Sequence, residues 1–254
     1  MPSFSPRRLL PVATLLLMAA GDPSTPASRM DKADWAAQFN AQQQELRQNS
    51  YDIVLLGDSI MHELQYVGPQ SFNNIDAVWQ RWFACRRTID LGFTGDTTAN
   101  LLWRIENGLL PTTPPKLAVV LIGTNNDRPA LGWSAQQTAQ GIVTIVDELH
   151  RRLPGTRILV MGIPPNAHGA RVAEIIDQVN ATLAARDWTA DNAKFVATAD
   201  LFETNGELDT SLFREPHQGR PALHPDAHGW ELMAERIMPA AGQPAPCPGG
   251  PAAP

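Results

Sequence analysis

Ser59 stands in Gly57-Asp58-Ser59-Ile60, directly after the apolar run DIVLLG of residues 52–57. A serine at a strand-to-helix turn can lift its hydroxyl above the sheet edge while its own backbone N–H sits at a helix start. That pairing suits a nucleophile, because the N–H can stabilise the oxyanion formed on the carbonyl under attack. The same Asp-Ser pair also suits a plain helix cap. Gly92 and Gly95, in the run LGFTGDTT of residues 91–98, leave backbone N–H groups accessible, and Thr97 or Thr98 can cap a following helix. The Gly95 N–H is a second oxyanion donor or part of an ordinary turn. Asn125, in Gly123-Thr124-Asn125-Asn126, can aim its amide into a cleft as a third donor, although Asn is also a common turn residue. His224, in Leu223-His224-Pro225-Asp226, can take the proton of Ser59. Each feature alone is ordinary. In this order, at comparable places along the chain, they describe acyl transfer.

Such residues converge only if the elements between them return each loop to the same edge. Five short runs, 52–57, 88–92, 117–123, 157–162 and 194–198, are mostly rich in Val, Ile and Leu, and four end at Gly, as buried parallel strands do. Helical spacing of apolar residues fills the intervals 97–107, 135–152, 172–185 and 226–238, with Pro225 and Asp226 placed to start the last helix. Strand alternating with helix predicts an α/β fold with a five-stranded parallel sheet covered on both faces. Ligands of such sheets bind beyond the carboxyl ends of the strands, where the four residues fall.

At these positions the chain resembles the SGNH, or GDSL, hydrolase family, whose four blocks carry Ser, Gly, Asn and His. Ser59 in GDSI, Gly95 in GFTGD, Asn125 in GTNN and His224 in LHPDAHGW match the blocks in order, and the resemblance spans roughly residues 50–238. Within the family, the stretch 95–126 is similar to the corresponding segment of the catalytic α subunits of intracellular platelet-activating factor acetylhydrolase. The resemblance implies a flavodoxin-like three-layer α/β/α sandwich and ester hydrolysis through an acyl-enzyme. It assigns Ser59 as nucleophile and His224 as base. The Ser59 and Gly95 N–H groups and the Asn125 side chain become the oxyanion hole, and no metal or organic cofactor is implied. One position departs from the pattern. The family places Asp three residues before its His, and here that residue is Pro221, with neither a carboxylate nor an N–H. Three readings stay open: a displaced carboxylate such as Glu215, Asp209 or Asp226, a backbone carbonyl serving a Ser–His dyad, or a weak or non-catalytic relative that binds an acylated glycan or lipid. With His224 as base, activity should fall as pH drops through the imidazole range.

Composition narrows the partners. Twenty Lys plus Arg against 26 Asp plus Glu give a net charge of −6, so nothing electrostatic favours nucleic acid or an anionic membrane. The expected substrate is a small-molecule, glycan or lipid ester, and the similar acetylhydrolase subunits suggest a homodimer. No apolar run reaches the length of a membrane span. His217, His224 and His228 lack the flanking pattern of a zinc site, and Trp79 and Trp82 suit core packing first and a substrate-facing wall second. At the start, Arg7 and Arg8 precede an apolar run from Leu9 to Ala20, which reads as a signal peptide over 1–21 and points to a periplasmic or secreted protein. Residues 22–32 then read as a flexible linker, 33–238 as the hydrolase domain, and the Pro-, Gly- and Ala-rich 239–254 as a disordered tail. A tail cysteine lacks fixed geometry, so pairing of Cys85 with Cys247 is not expected.

Overall fold

The computed structural model describes residues 21–68, 74–243 and 245–254. Apart from Gly21, the expected signal peptide lies outside the described residues. Five parallel strands, β1 (Ile53–Gly57), β2 (Thr88–Gly92), β3 (Leu117–Leu121), β4 (Arg157–Met161) and β5 (Ala193–Val196), form one sheet in the order β2-β1-β3-β4-β5. That order reverses direction beside β1, which makes the ends of β1, β2 and β3 the topological switch point.

Side chains alternate across each central strand and build a separate apolar layer on each face. Val54 and Leu56 of β1, with Ala118 and Val120 of β3, face one core, while Ile53, Leu55, Leu117, Val119 and Leu121 face the other. The first core is covered by α1 (Ala33–Gln48), α4 (Thr98–Glu106), α5 (Ala135–Arg152) and α6 (Ala170–Ala185). The second is covered by α2 (Ser59–His62), α3 (Asp76–Trp82) and α7 (Ala227–Ala240). This is the expected three-layer sandwich. Helices α1, α2 and α3 carried no clear periodic signal. The α1 helix is mostly Gln, Asn and Ala, and it is held by Trp35 and Phe39, which cluster with Phe93 and Trp103 at ring-centroid distances of 5.3–5.6 Å. Trp82 is buried as expected and donates its indole N–H to Glu231 (2.9 Å), and Trp79 packs against the second core.

Both flanking segments differ from the sequence reading. Residues 22–30 are not a free linker but a strap along α4. Thr98 Oγ1 donates to the Pro23 carbonyl (2.9 Å), Ala27 N–H to Ala99 O (3.0 Å), and the Asn100 amide to Ala27 O (2.8 Å). Composition alone could not show this, because the strap is held mainly by backbone groups that meet α4, with Pro23 buried as well. The tail is likewise fastened. Cys85 and Cys247 form a disulfide, Cys247 N–H donates to Arg81 O (2.6 Å), and the Arg81 and Arg86 guanidinium groups donate to the carbonyls of Pro251 and Ala245. Backbone acceptors met by arginines of α3 and the loop after it supply the geometry that a Pro/Gly-rich tail lacks by itself.

Candidate active site

Register places the three candidate oxyanion donors together. Gly57 of β1 pairs with Gly92 of β2 on one side and with Leu121 of β3 on the other. Ser59, Gly95 and Asn125 follow those three residues by two, three and four positions, so all leave adjacent strands at one level of the sheet. Ser59 opens α2, where the first N–H groups have no acceptor a turn earlier. The turn is tight because Asp58 accepts the Ile60 N–H (3.0 Å) and because Gly92 lets α2 lie on β2. A Cβ at Gly92 would stand 2.3 Å from the His62 nitrogen. Gly95 adopts φ +78°, a conformation that favours glycine. Thr97 caps α4 in a reciprocal arrangement with Asn100.

His224 reaches Ser59 from the far end of the chain. Its Nε2 lies 2.9 Å from Ser59 Oγ, and its Nδ1 lies 2.5 Å from Glu215 Oε1. The other Glu215 oxygen accepts two backbone N–H groups, from Leu223 (3.1 Å) and from His224 itself (2.9 Å). The loop from Phe213 to Pro225 closes on itself: Phe213 bridges Pro225, Arg214 N–H donates to His224 O (3.0 Å), and Arg220 N–H donates to Glu215 O (3.0 Å). That closure brings residue 215 alongside residue 224 and replaces the carboxylate missing at Pro221. Of the three carboxylates left open by the sequence, the other two are engaged as caps. Asp226 accepts the Gly229 N–H at the start of α7 (2.8 Å), and Asp209 accepts from Ser211. Burial alone would raise the Glu215 carboxyl, but the His224 hydrogen bonds and imidazole charge outweigh it and hold the group at about 2. Glu215 is therefore an anion wherever the imidazole can act.

Asn125 donates one amide N–H to the Asp96 carbonyl (3.0 Å), which fixes the side chain and leaves its second N–H for a ligand. Its oxygen accepts from Arg128, which also donates to Gly95 O (3.3 Å). The Gly95 loop is braced from beneath by a fully buried ion pair that local motifs did not reveal. Arg104 donates to Asp96 Oδ2 (2.7 Å), to Leu91 O (2.9 Å) and to Gly57 O (3.1 Å), and so ties the ends of β1 and β2 to the loop. Trp35 Nε1 and Arg29 complete the shell of Asp96 at 2.7 and 2.9 Å. One signal was available: an arginine among Leu101, Leu102 and Ile105 on the apolar face of α4 has to be buried with a partner. Asp58, beside Ser59, is fully buried, and burial raises its carboxyl to about 7. It lies within electrostatic reach of His224, Asp96 and Arg128, which links the two halves of the site.

The arrangement can activate a hydroxyl, orient the imidazole that activates it, and hold an oxyanion. Among the described residues no cluster of metal-ligating side chains occurs, and no helix is long and apolar enough to cross a membrane. The model of the GDSL-like lipase/acylhydrolase family matches residues 55–232, a span that contains Ser59, Gly95, Asn125, Glu215 and His224. Over 155 residues the chain is 31% identical to platelet-activating factor acetylhydrolase IB subunit alpha2 of Rattus norvegicus, covering 58% of this chain and 62% of that protein. The chain thus spans less than two thirds of that relative's length. Among solved structures, a Streptococcus pneumonia protein provisionally identified as a platelet activating factor superposes with a TM-score of 0.60 at 18% identity, covering 82% of this chain and 94% of that one. Est24, a carbohydrate acetylesterase from Sinorhizobium meliloti, gives 0.57 at 16% identity over 76% of this chain and 99% of that one. At these identities the structural likeness is one of fold.

Proposed function

The chain belongs to the GDSL-like lipase/acylhydrolase family, and from that premise we propose that it is a serine esterase acting on short-chain acyl esters, acetyl esters first among them. The observation that carries this reading is the hydrogen-bonded series Glu215–His224–Ser59. Ser59 Oγ attacks the ester carbonyl as its proton passes to His224 Nε2. The carbonyl electron pair moves onto oxygen, where the N–H groups of Ser59 and Gly95 and the Asn125 amide receive it. The tetrahedral species then expels the alcohol, which takes the proton from His224. Water, deprotonated by the same imidazole, attacks the acyl-serine, and collapse returns the free acid and Ser59. Glu215 keeps the proton-bearing Nδ1 turned toward itself, so that Nε2 faces the serine, and it stabilises the imidazolium formed in each half-reaction.

The acetyl preference draws on the 31% identity to the acetylhydrolase subunit. Simple acetyl esters and acetylated carbohydrates precede a phospholipid as substrates. The non-catalytic alternative draws on Pro221, whereas the Glu215 carboxylate hydrogen-bonded to His224 supports the catalytic one. Export is part of the same proposal. It is supported by the basic and apolar start of the chain and by the Cys85–Cys247 disulfide, which suits an oxidising compartment such as the periplasm or the exterior.

The test is hydrolysis of 4-nitrophenyl esters from acetate to octanoate by the full chain, with Ser59→Ala and His224→Ala as controls. Turnover is expected to favour the short esters and to vanish in both variants. Folded wild-type protein no faster than Ser59→Ala on every ester would defeat the proposal.

A further inference from the structure

A cavity of about 470 Å³ opens beside the oxyanion loop, roofed by the strap and walled by Gly95, Arg29, Arg128 and Trp133. Its lining is mostly apolar, and the charged side chains that meet at Gly95 are two guanidinium groups. A Cβ placed on Gly95 would lie 3.4 Å from Arg128 and 3.5 and 3.6 Å from the two terminal nitrogens of Arg29, so two guanidinium groups converge on one point. Arg29 shares Asp96 with buried Arg104, so one carboxylate serves two cations. The acceptors of Arg128 are both neutral, Gly95 O and Asn125 Oδ1, and among the described residues it makes no ion pair. The acidic residue at the rim, Asp22, accepts the Ser24 N–H (2.7 Å). Two guanidinium groups, of which Arg128 has no anionic partner among the described residues, flank a mostly apolar cavity roomy enough for a substituent, and a carboxylate on an apolar arm would complete it.

Resting on the esterase reading, we propose that this cavity is a subsite for a carboxylate carried on the acyl arm of the substrate, so that the enzyme prefers half-esters of short dicarboxylic acids. The leaving alcohol has to lie at His224 Nε2 to receive its proton. Gly95 lines the cavity, whereas Ser59 and His224 do not. The arm that runs past Gly95 is therefore the acyl chain. Hydrolysis then releases the alcohol and a dicarboxylate. The strap completes the subsite through Arg29, which also anchors it by donating to Thr94 O (3.1 Å).

The experiment compares kcat/KM for mono-4-nitrophenyl adipate and 4-nitrophenyl hexanoate, which differ in the terminal carboxylate. It uses the full chain, with Ser59→Ala as background. The wild type should favour the adipate. Arg128→Gln and Arg29→Gln should each lower the adipate-to-hexanoate ratio by about tenfold or more, the scale of a hydrogen bond to a charged group, and Arg128→Lys should restore part of it. A ratio that neither Gln substitution moves overturns the proposal even if both esters are hydrolysed. A second pair, 4-acetoxybenzoate and its methyl ester, carries the charge on the alcohol side. If the substitutions move that ratio instead, the acyl-arm assignment is overturned. Should the wild type hydrolyse neither pair, the esterase reading fails separately, and calorimetry of monomethyl adipate and dimethyl adipate with Ser59→Ala protein decides the subsite. Tighter binding of the monoester that Arg128→Gln abolishes upholds it, and equal binding of the two overturns it.

Discussion

Replacing Glu215 by Gln tests the catalytic geometry with the smallest change of shape. The native carboxylate accepts three N–H groups: the imidazole Nδ1 at 2.5 Å and the Leu223 and His224 backbone N–H groups at 3.1 and 2.9 Å. A glutamine has one acceptor oxygen. If that oxygen keeps the backbone pair, its NH2 faces Nδ1 and selects the tautomer in which Nε2 carries the proton, 2.9 Å from Ser59 Oγ. That imidazole cannot accept the serine proton. If the amide turns the other way, its NH2 opposes two backbone donors and the loop has to open. By analogy with an orienting carboxylate converted to its amide, kcat should fall about a thousandfold to ten-thousandfold, or roughly 4–5 kcal/mol of activation free energy. Stability should change as well. A carboxyl held near 2, against an ordinary value of 4.5, adds stability that is complete above the ordinary value and lost as pH falls through about 2. At neutral pH this is about 3 kcal/mol. The assay is kcat on 4-nitrophenyl acetate beside thermal unfolding at pH 7. A folded Glu215→Gln protein retaining kcat within tenfold of wild type would refute Glu215 as the group that orients His224.

Three further outcomes follow from the same geometry. Gly92→Ala would put a Cβ 2.3 Å from the His62 nitrogen. Because backbone must then move and α2 carries Ser59, both Tm and kcat should drop, and an unchanged kcat would separate α2 placement from catalysis. Arg104→Met leaves Asp96 buried without its closest cation. Unfolding free energy from urea titration should fall by about 3–5 kcal/mol, and a loss under 1 kcal/mol would show that the pair does not brace the loop. Asp58 is an acid raised to about 7 by burial, so it costs the folded state stability as pH climbs from the ordinary range, near 4, to about 7. Asp58→Asn should therefore raise Tm most above pH 7 and leave it nearly unchanged near pH 4, with a ceiling of about 4 kcal/mol. A gain that is larger at acid pH would reverse the sign of this argument.

The sheet and the four motif residues were legible because their signals are local. Buried parallel strands must be apolar on both faces, so β1, β3 and β4 read as near-continuous Val, Ile and Leu runs, and α5 shows its full length in apolar spacing. Ser59, Gly95, Asn125 and His224 each sit at the end of such a run or just before a helix, where position in the chain already implies position in the fold. The helix α1 escaped notice because its burial rests on a few large side chains in a polar sequence.

What tertiary structure decided are the relations between distant segments. The choice of Glu215 over Asp209 and Asp226 depends on how the loop from Phe213 to Pro225 closes, and equal carboxylates along a sequence carry no sign of which will face an imidazole. The strap and the fastened tail depend on groups 75 and 162 residues apart meeting, and the Arg104–Asp96 brace on a buried charge that also reaches the carbonyls of Leu91 and Gly57. The chemistry of a carbonyl is the same at every position, so composition cannot say which ones will find a donor. By itself the sequence determined the architecture and offered Ser59 and His224; the Glu215 contact and the arginine-flanked cavity beside the Gly95 loop exist only once the chain has folded and brought donors and acceptors to hydrogen-bond distance.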